Sequence, residues 1–81
     1  MKKILIIDDD EVFAKILVDS LSKEKYKVVH VVDGEEGLRL AQLENPDLIL
    51  LDLVLPQMDG FEVLERIKNN ESISKIPVII L

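Results

Sequence analysis

The chain has no cysteine, no tryptophan and only one histidine among its 81 residues. Without cysteine there can be no disulfide, no zinc–thiolate site and no thiol nucleophile. No apolar run approaches the roughly 18 residues that a membrane-spanning helix needs. The apolar stretch after Lys3 is soon interrupted by three aspartates and has no small-residue cleavage site, so it does not indicate a signal peptide. We therefore expect a cytoplasmic domain with no membrane segment.

Basic residues are also scarce. Lysine and arginine number 10 against 16 aspartates and glutamates, which gives a net charge of −6. This charge argues against direct binding of nucleic acid through the field of the domain. The hydrophobic fraction of 48% is too high for a disordered acidic tail. The length allows one small domain, which we assign to residues 1–81.

Short apolar runs alternate with longer amphipathic segments along the chain. β-Branched runs of this kind favour strands buried on both faces, and apolar residues at helical spacing favour helices. The alternation predicts an α/β fold, a flavodoxin-like doubly wound parallel sheet with right-handed crossovers. The predicted strands are Ile4–Ile7, Val28–Val32, Leu48–Leu51 and Pro77–Leu81, and the predicted helices are Glu11–Glu24, 33–45 with Asp33 as cap, and Phe61–Asn69.

The apolar stripes of the three helices are expected to form the core. Phe13 and Phe61 belong to these stripes and are assigned to the core with the leucines and isoleucines around them. Asp10 and Asp59 each precede a predicted helix, where an aspartate is a good N-cap. His30 lies inside a predicted strand, which favours a structural role over a phosphorylated histidine.

Acidic residues follow two of the predicted strands directly. Asp8, Asp9 and Asp10 come after the first strand, and Asp52 comes after the third. If these strands are neighbours, Asp8, Asp9 and Asp52 converge at the carboxyl edge of the sheet, where α/β folds bind ligands. Clustered carboxylates raise one another's pKa unless a cation is present. Oxygen ligands without histidine or cysteine favour Mg²⁺ or a similar ion.

Three other acidic or nucleotide sites do not match these residues. A dinucleotide site needs a glycine-rich turn after the first strand, where this chain has three aspartates. A haloacid-dehalogenase-type phosphatase needs a second aspartate two residues after the nucleophile, and Val54 stands there. Neither acidic cluster has the spacing of an EF-hand loop. The remaining alternative is that the aspartates are unrelated helix caps and loop residues.

Four segments resemble, in order, the receiver domain of two-component response regulators. They are residues 4–10 (ILIIDDD), 46–52 (PDLILLD), 55–60 (LPQMDG) and 77–81 (PVIIL). The resemblance runs along the whole chain, and the joint signal is far more specific than an acidic pair alone. It implies a phosphoacceptor in a signalling pathway and not a dedicated enzyme, although such domains promote their own phosphorylation and dephosphorylation.

The resemblance also implies a role for each matching residue. Asp52 matches the phosphoacceptor, which takes a phosphoryl group from a sensor histidine kinase or a phosphotransfer protein. Asp9 matches the acidic ligand of Mg²⁺, and Asp8 matches the second acid, which binds or orients a metal-bound water. Val54 stands where the backbone carbonyl contacts the metal, and Asp52 itself is also a metal ligand.

Other family features concern the loop and the far end of the sheet. Pro56 and Gly60 match the residues that shape the loop after the phosphoacceptor. The family's catalytic hydroxyl and lysine come after the fourth strand and at the end of a fifth, and we expect neither in this chain. The domain is expected to lack its last helix–strand–helix elements and to self-associate through the exposed fourth strand. The alternative function is a receiver-like interaction fragment that is not phosphorylated.

Overall fold

A four-stranded parallel sheet and three helices make up the computed structural model, which describes residues 1–81. The strands are β1 (Lys3–Ile7), β2 (Lys27–Val31), β3 (Leu48–Leu51) and β4 (Val78–Ile80), and the helices are α1 (Glu11–Lys23), α2 (Gly34–Glu44) and α3 (Gly60–Asn69). The strand order is β2-β1-β3-β4. This order confirms the predicted flavodoxin-like α/β fold, with element ends shifted by at most one residue. None of the helices has the length and hydrophobicity that crossing a membrane requires.

The sheet is covered on both faces because its central strands are apolar on both sides. Alternate residues of a strand point to opposite faces. Leu5 and Ile7 of β1 join the larger core cluster with side chains from α2 and α3. Ile4 and Ile6 join a smaller cluster, against which the partly buried leucines of α1 pack. β1 is therefore the centre of both cores.

Helix α1 is oriented differently from the prediction. Ala14 is its one fully buried residue, and Leu17 and Leu21 pack partly buried against the smaller cluster. Phe13 is 41% exposed and Ile16 is 58% exposed. The prediction of a core role for these two residues is wrong, because the face of the helix turned to the sheet carries Ala14, Leu17 and Leu21 instead.

Helix α3 shows the same kind of correction. Its buried apolar residues are Val63 and Ile67, whereas Phe61 is 62% exposed in the first turn. The space next to Ile67 is filled from the segment between α3 and β4, where Ile73 and Ile76 are buried. Phe61 is therefore not a core residue as predicted, since isoleucines outside any regular element complete this part of the core.

Each helix is preceded by an aspartate whose carboxylate accepts a backbone N–H two or three residues further on. These capping bonds measure 3.0 Å at Asp10 and 2.8 Å at both Asp33 and Asp59. Helix α2 ends at Asn45, which has a left-handed backbone and precedes Pro46. A proline disfavours the helical conformation in the residue before it. The capping roles predicted for the three aspartates agree with these contacts.

One buried and one exposed apolar residue of α3 allow a direct test of this packing. We expect Ile67→Ala to lower the free energy of unfolding by about 2–5 kcal/mol, since it opens a cavity in the core. The matched change Phe61→Ala should cost less than about 1 kcal/mol because most of that ring is already in water. Chemical denaturation of both variants measures the difference. Equal losses would show that Phe61 is a core residue after all.

One edge of the sheet leaves apolar residues exposed. β4 pairs only with β3, and Ile79 and Ile80 are 52% and 42% exposed. An unpaired apolar edge is a template for another strand. We expect the 81-residue chain to self-associate, with an average mass in sedimentation equilibrium that rises with concentration.

A lysine at this edge should suppress the association, because charge blunts an exposed strand. The variant Ile79→Lys is therefore expected to be monomeric, while Val12→Lys, on the exposed surface of α1, should associate like the unmodified chain. An unmodified chain whose mass stays monomeric at every concentration, or an Ile79→Lys variant that associates as strongly as Val12→Lys, would contradict this prediction.

Candidate functional site

The carboxyl ends of β1 and β3 lie side by side, since Ile7 pairs with Leu51 in the parallel register. Asp8 and Asp9 follow β1 and Asp52 follows β3, so the three side chains meet at this edge of the sheet. One carboxylate oxygen from each lies within 4.8 Å of the others. The strand order thus brings together the three acids that the sequence singles out, and it leaves Asp10 aside as the cap of α1.

Asp8 is the most firmly held of the three acids. Only 2% of its surface is exposed. Its backbone N–H donates to the carbonyl of Val31 over 3.1 Å, and its Oδ1 accepts the backbone N–H of Asp10 over 2.9 Å. Its own carbonyl lies 2.8 Å from Nε2 of His30. Asp8 therefore has a fixed backbone and a fixed side chain.

The electrostatics of Asp8 follow from this placement. Burial raises the pKa of the Asp8 carboxyl above its usual range, and the negative charge of Asp52 raises it further. The N–H of Asp10 acts in the opposite direction, because it stabilises the ionised form. A cation near the three acids would relieve both the desolvation and the repulsion. The cluster is therefore a place where positive charge is favoured.

Asp52 is half-buried and is held from two sides. Its backbone N–H donates to the carbonyl of Ile7 over 2.9 Å, which extends the β1–β3 ladder by one bond. Its Oδ1 accepts the backbone N–H of Val54 over 3.0 Å. The side chain of Val54 is 79% exposed, so its contribution comes from the backbone. Asp9 is exposed to solvent beside these groups.

The loop after Asp52 folds closely back on itself at Gly60. The N–H of Gly60 donates to the carbonyl of Leu53 over 3.0 Å. A Cβ at Gly60 would lie 2.7 Å from the carbonyl oxygens of both Asp52 and Leu53, so only glycine fits without a shift of the backbone. Pro56 lies exposed in the same loop. Gly60 therefore fixes the return of the chain from the site to α3.

The donor set fits a hard divalent cation. All three side chains offer carboxylate oxygens, and no histidine or cysteine side chain belongs to the cluster. Mg²⁺ is typically bound by one or two protein carboxylates together with water molecules, and exposed Asp9 leaves room for them. The residues Asp8, Asp9 and Asp52 could therefore hold Mg²⁺.

Sequence reasoning did not connect His30 with this cluster. A side chain in the middle of a predicted strand gives no sign of which backbone group it reaches. The register that pairs His30 with Ile6 places the imidazole near the end of β1 and next to Asp8. The contact between His30 and Asp8 can therefore be seen only once the register of β1 with β2 is known.

Comparison with known proteins agrees with the fold. The family model "Response regulator receiver domain" matches residues 4–81. The chain is 44% identical over 81 residues to RpaA of Synechocystis sp., a DNA-binding dual master transcriptional regulator, and covers 100% of itself and 34% of that protein. The chain thus spans about a third of the length of this curated relative.

Solved structures give the same result. The N-terminal domain of a response regulator receiver protein from Methanoculleus marisnigri JR1 superposes with a TM-score of 0.94 at 36% identity, over 99% of this chain and 65% of that one. The receiver domain of the sensor histidine kinase PA1611 from Pseudomonas aeruginosa PAO1, with a magnesium ion coordinated in its active site cleft, gives 0.92 at 30% identity, over 98% and 65%. The chain belongs to the response regulator receiver domain family of two-component signalling.

Proposed function

We propose that Asp52 is the phosphoacceptor of this receiver domain and takes a phosphoryl group from the phosphohistidine of a sensor histidine kinase or a phosphotransfer protein. The observation that carries the proposal is the cluster at the edge of the sheet, where the carboxylate oxygens of Asp8, Asp9 and Asp52 lie within 4.8 Å of one another. Of these three, Asp52 directly follows the central strand β3 and has one oxygen held by the N–H of Val54. That contact leaves its other oxygen for the reaction.

In the proposed step, the free carboxylate oxygen of Asp52 attacks the phosphorus of the phosphohistidine. A P–O bond forms and the P–N bond breaks, and the leaving imidazole nitrogen keeps the electron pair of the broken bond. Phosphoryl transfer depends mainly on positioning and charge stabilisation. The bonds from Asp52 N–H to Ile7 and from Val54 N–H to Asp52 Oδ1 supply the positioning.

Mg²⁺ is the proposed cofactor, held by Asp8, Asp9 and Asp52 together with the backbone carbonyl of Val54. A bound Mg²⁺ neutralises charge, which lets an anionic nucleophile and an anionic phosphoryl group come together. The magnesium ion in the cleft of the PA1611 receiver domain supports this assignment. The raised pKa of Asp8 supports it as well, because a cation would offset both of its causes, the burial of the carboxylate and the negative charge of Asp52.

The proposed product is an acyl phosphate that serves as a signal. It adds negative charge to an already acidic pocket, and such a charge can bias a two-state element elsewhere in a domain. Pro56 and Gly60 would shape the loop that carries this change toward α3. We assign the catalytic hydroxyl and lysine of the family to no residue of these 81.

A second hypothesis is that the chain acts as an interaction module and is not phosphorylated. The exposed apolar edge of β4 is the observation that favours it, because that edge can pair with another strand. The two hypotheses differ in whether Asp52 responds to a phosphoryl analogue. Binding of such an analogue together with Mg²⁺ is therefore the deciding measurement.

Beryllofluoride, which mimics a phosphoryl group on a carboxylate, provides this test. With Mg²⁺ present, we expect it to shift the amide NMR signals of Asp9, Asp52 and Val54. Asp52→Asn should abolish the shifts, because the amide is a poor nucleophile and ligand. Asp59→Asn is the matched control, since asparagine caps a helix as well as aspartate does. An unmodified chain that shows no change at saturating Mg²⁺ and beryllofluoride would refute the phosphoacceptor assignment.

Removing the buried charge of Asp8 should separate stability from metal binding. The raised pKa of Asp8 in the folded state means that its stabilising contribution is present at low pH and is lost as the pH rises through that pKa. Without Mg²⁺ at neutral pH, Asp8→Asn should therefore raise the free energy of unfolding, by on the order of 1 kcal/mol. The asparagine oxygen can still accept the N–H of Asp10.

Added Mg²⁺ should reverse this difference in stability, so that the unmodified chain becomes more stable than Asp8→Asn. Ligand binding to the folded state stabilises the unmodified chain by mass action, and Asp8→Asn should lose most of that gain. Asp47→Asn is the control, because Asp47 accepts the N–H of Lys3 at the amino ends of the strands, away from the cluster. Urea denaturation with EDTA and with MgCl₂ measures both effects. A Mg²⁺-dependent gain as large in Asp8→Asn as in the unmodified chain would exclude Asp8 from the metal site.

A further inference from the structure

His30 is the single histidine of the chain, and it lies close to the acidic cluster. It is paired with Ile6 in the β1–β2 register and is half-buried. Alternation along β2 places it on the same face as Val28, which packs against the smaller core cluster beneath α1. From this face its ring extends along the sheet toward the residue that follows β1.

The ring reaches the backbone of Asp8. Its Nε2 lies 2.8 Å from the carbonyl oxygen of Asp8. A carbonyl oxygen only accepts hydrogen bonds, so Nε2 carries the hydrogen in this contact. The backbone of Asp8 is thus bound to β2 through both its groups, since its N–H also donates to Val31 over 3.1 Å.

No backbone N–H donates to the Asp8 carbonyl. β2 ends at Val31, and the N–H groups of Val32 and Asp33 make no hydrogen bond to this carbonyl. The hydrogen bonds between the backbones of β1 and β2 therefore end at Asp8, the first of the three consecutive aspartates. The imidazole of His30 supplies the donor that the strand no longer provides.

This hydrogen bond orients more than one ligand. The carbonyl of Asp8 and the N–H of Asp9 belong to one planar peptide unit. Fixing the direction of that carbonyl fixes the plane, and with it the Cα atoms from which the side chains of Asp8 and Asp9 project. A neighbouring strand thus sets the backbone positions from which two of the three carboxylates project.

We propose that His30 is a positioning residue of the metal site, which orients the Asp8–Asp9 peptide through its Nε2–H. The proposal rests on the proposed function, because it assumes that Asp8 and Asp9 hold Mg²⁺. It differs from the family's metal ligands, since His30 contacts no metal ligand oxygen and acts only through the backbone.

Three variants separate positioning from stability. His30→Met keeps a side chain of similar length but removes the donor, and we expect it to weaken Mg²⁺ binding roughly 10-fold. His30→Gln keeps a donor near the position of Nε2 and should restore most of the affinity. Val28→Ala, on the same face of β2, should lower stability without changing the affinity. Amide NMR titration with MgCl₂ gives the dissociation constants, and urea denaturation gives the stabilities.

Each result decides the question. A folded His30→Met variant with unchanged Mg²⁺ affinity would overturn the proposal. So would a His30→Gln variant that binds as weakly as His30→Met, since the ring's packing would then matter rather than its hydrogen bond. A loss of affinity in Val28→Ala equal to that in His30→Met would point to general destabilisation and would overturn it too. Failure of the unmodified chain to bind Mg²⁺ would instead refute the proposed function.

A measurement on the unmodified chain covers the case in which His30→Met does not fold. The hydrogen on Nε2 should exchange slowly with water because it is bonded to the Asp8 carbonyl, and its NMR signal should shift when Mg²⁺ saturates the site. A rapidly exchanging hydrogen, or a signal that Mg²⁺ leaves in place, would overturn the proposal.

Discussion

The parallel pairing of β1 with β3 is the constraint on which the site depends. It forces like charges together, since Asp8 and Asp52 each continue a paired strand. Two unit charges about 4 Å apart repel by about 4 kcal/mol near a protein surface. Each fully buried leucine or isoleucine offsets this with about 1.5–3 kcal/mol. The two strands bury several such residues, namely Leu5, Ile6, Ile7, Ile49 and Leu51. The apolar core therefore holds in place an acidic cluster that would otherwise separate.

Backbone hydrogen bonds carry this constraint beyond the ends of the strands. The ladder continues through Asp8 to β2 and through Asp52 to β1, so both acids keep the geometry of the sheet although neither belongs to a strand. The loop that follows is bound to Asp52 through the N–H of Val54 and returns at Gly60, where a side chain would not fit. Most of the groups that shape the site are thus backbone groups. This explains how Val54 can contribute although its side chain points into solvent.

The sheet and the acidic cluster could be predicted because both depend on simple patterns. Uninterrupted β-branched runs indicate buried strands, and parallel strands bring their carboxyl ends to one edge. The burial of single aromatic residues could not be predicted. Helical spacing in α1 admits two adjacent faces, and the structure buries the face of Ala14 rather than that of Phe13. The buried Ile73 lies outside any periodic element, and the contact of His30 depends on the register of β1 with β2. Sequence patterns determine which face of a strand is buried but not which atoms meet across it.

The packing beneath the site restricts the movement of Asp8. A Cβ at Gly37 of α2 would lie 2.5 Å from Cδ1 of Ile7, so the backbone of the helix packs directly against the residue that precedes Asp8. Asp8 is therefore held by α2 from below, through Ile7, and by β2 from the side, through Val31 and His30. The side chain of Asp9, unlike its peptide N–H, has no comparable support and is exposed. The two acids would therefore respond differently to a change of charge at the cluster. The exposed side chain of Asp9 can move with a ligand. The buried side chain of Asp8 is held in place, so its response is to gain or lose a proton or to attract a cation.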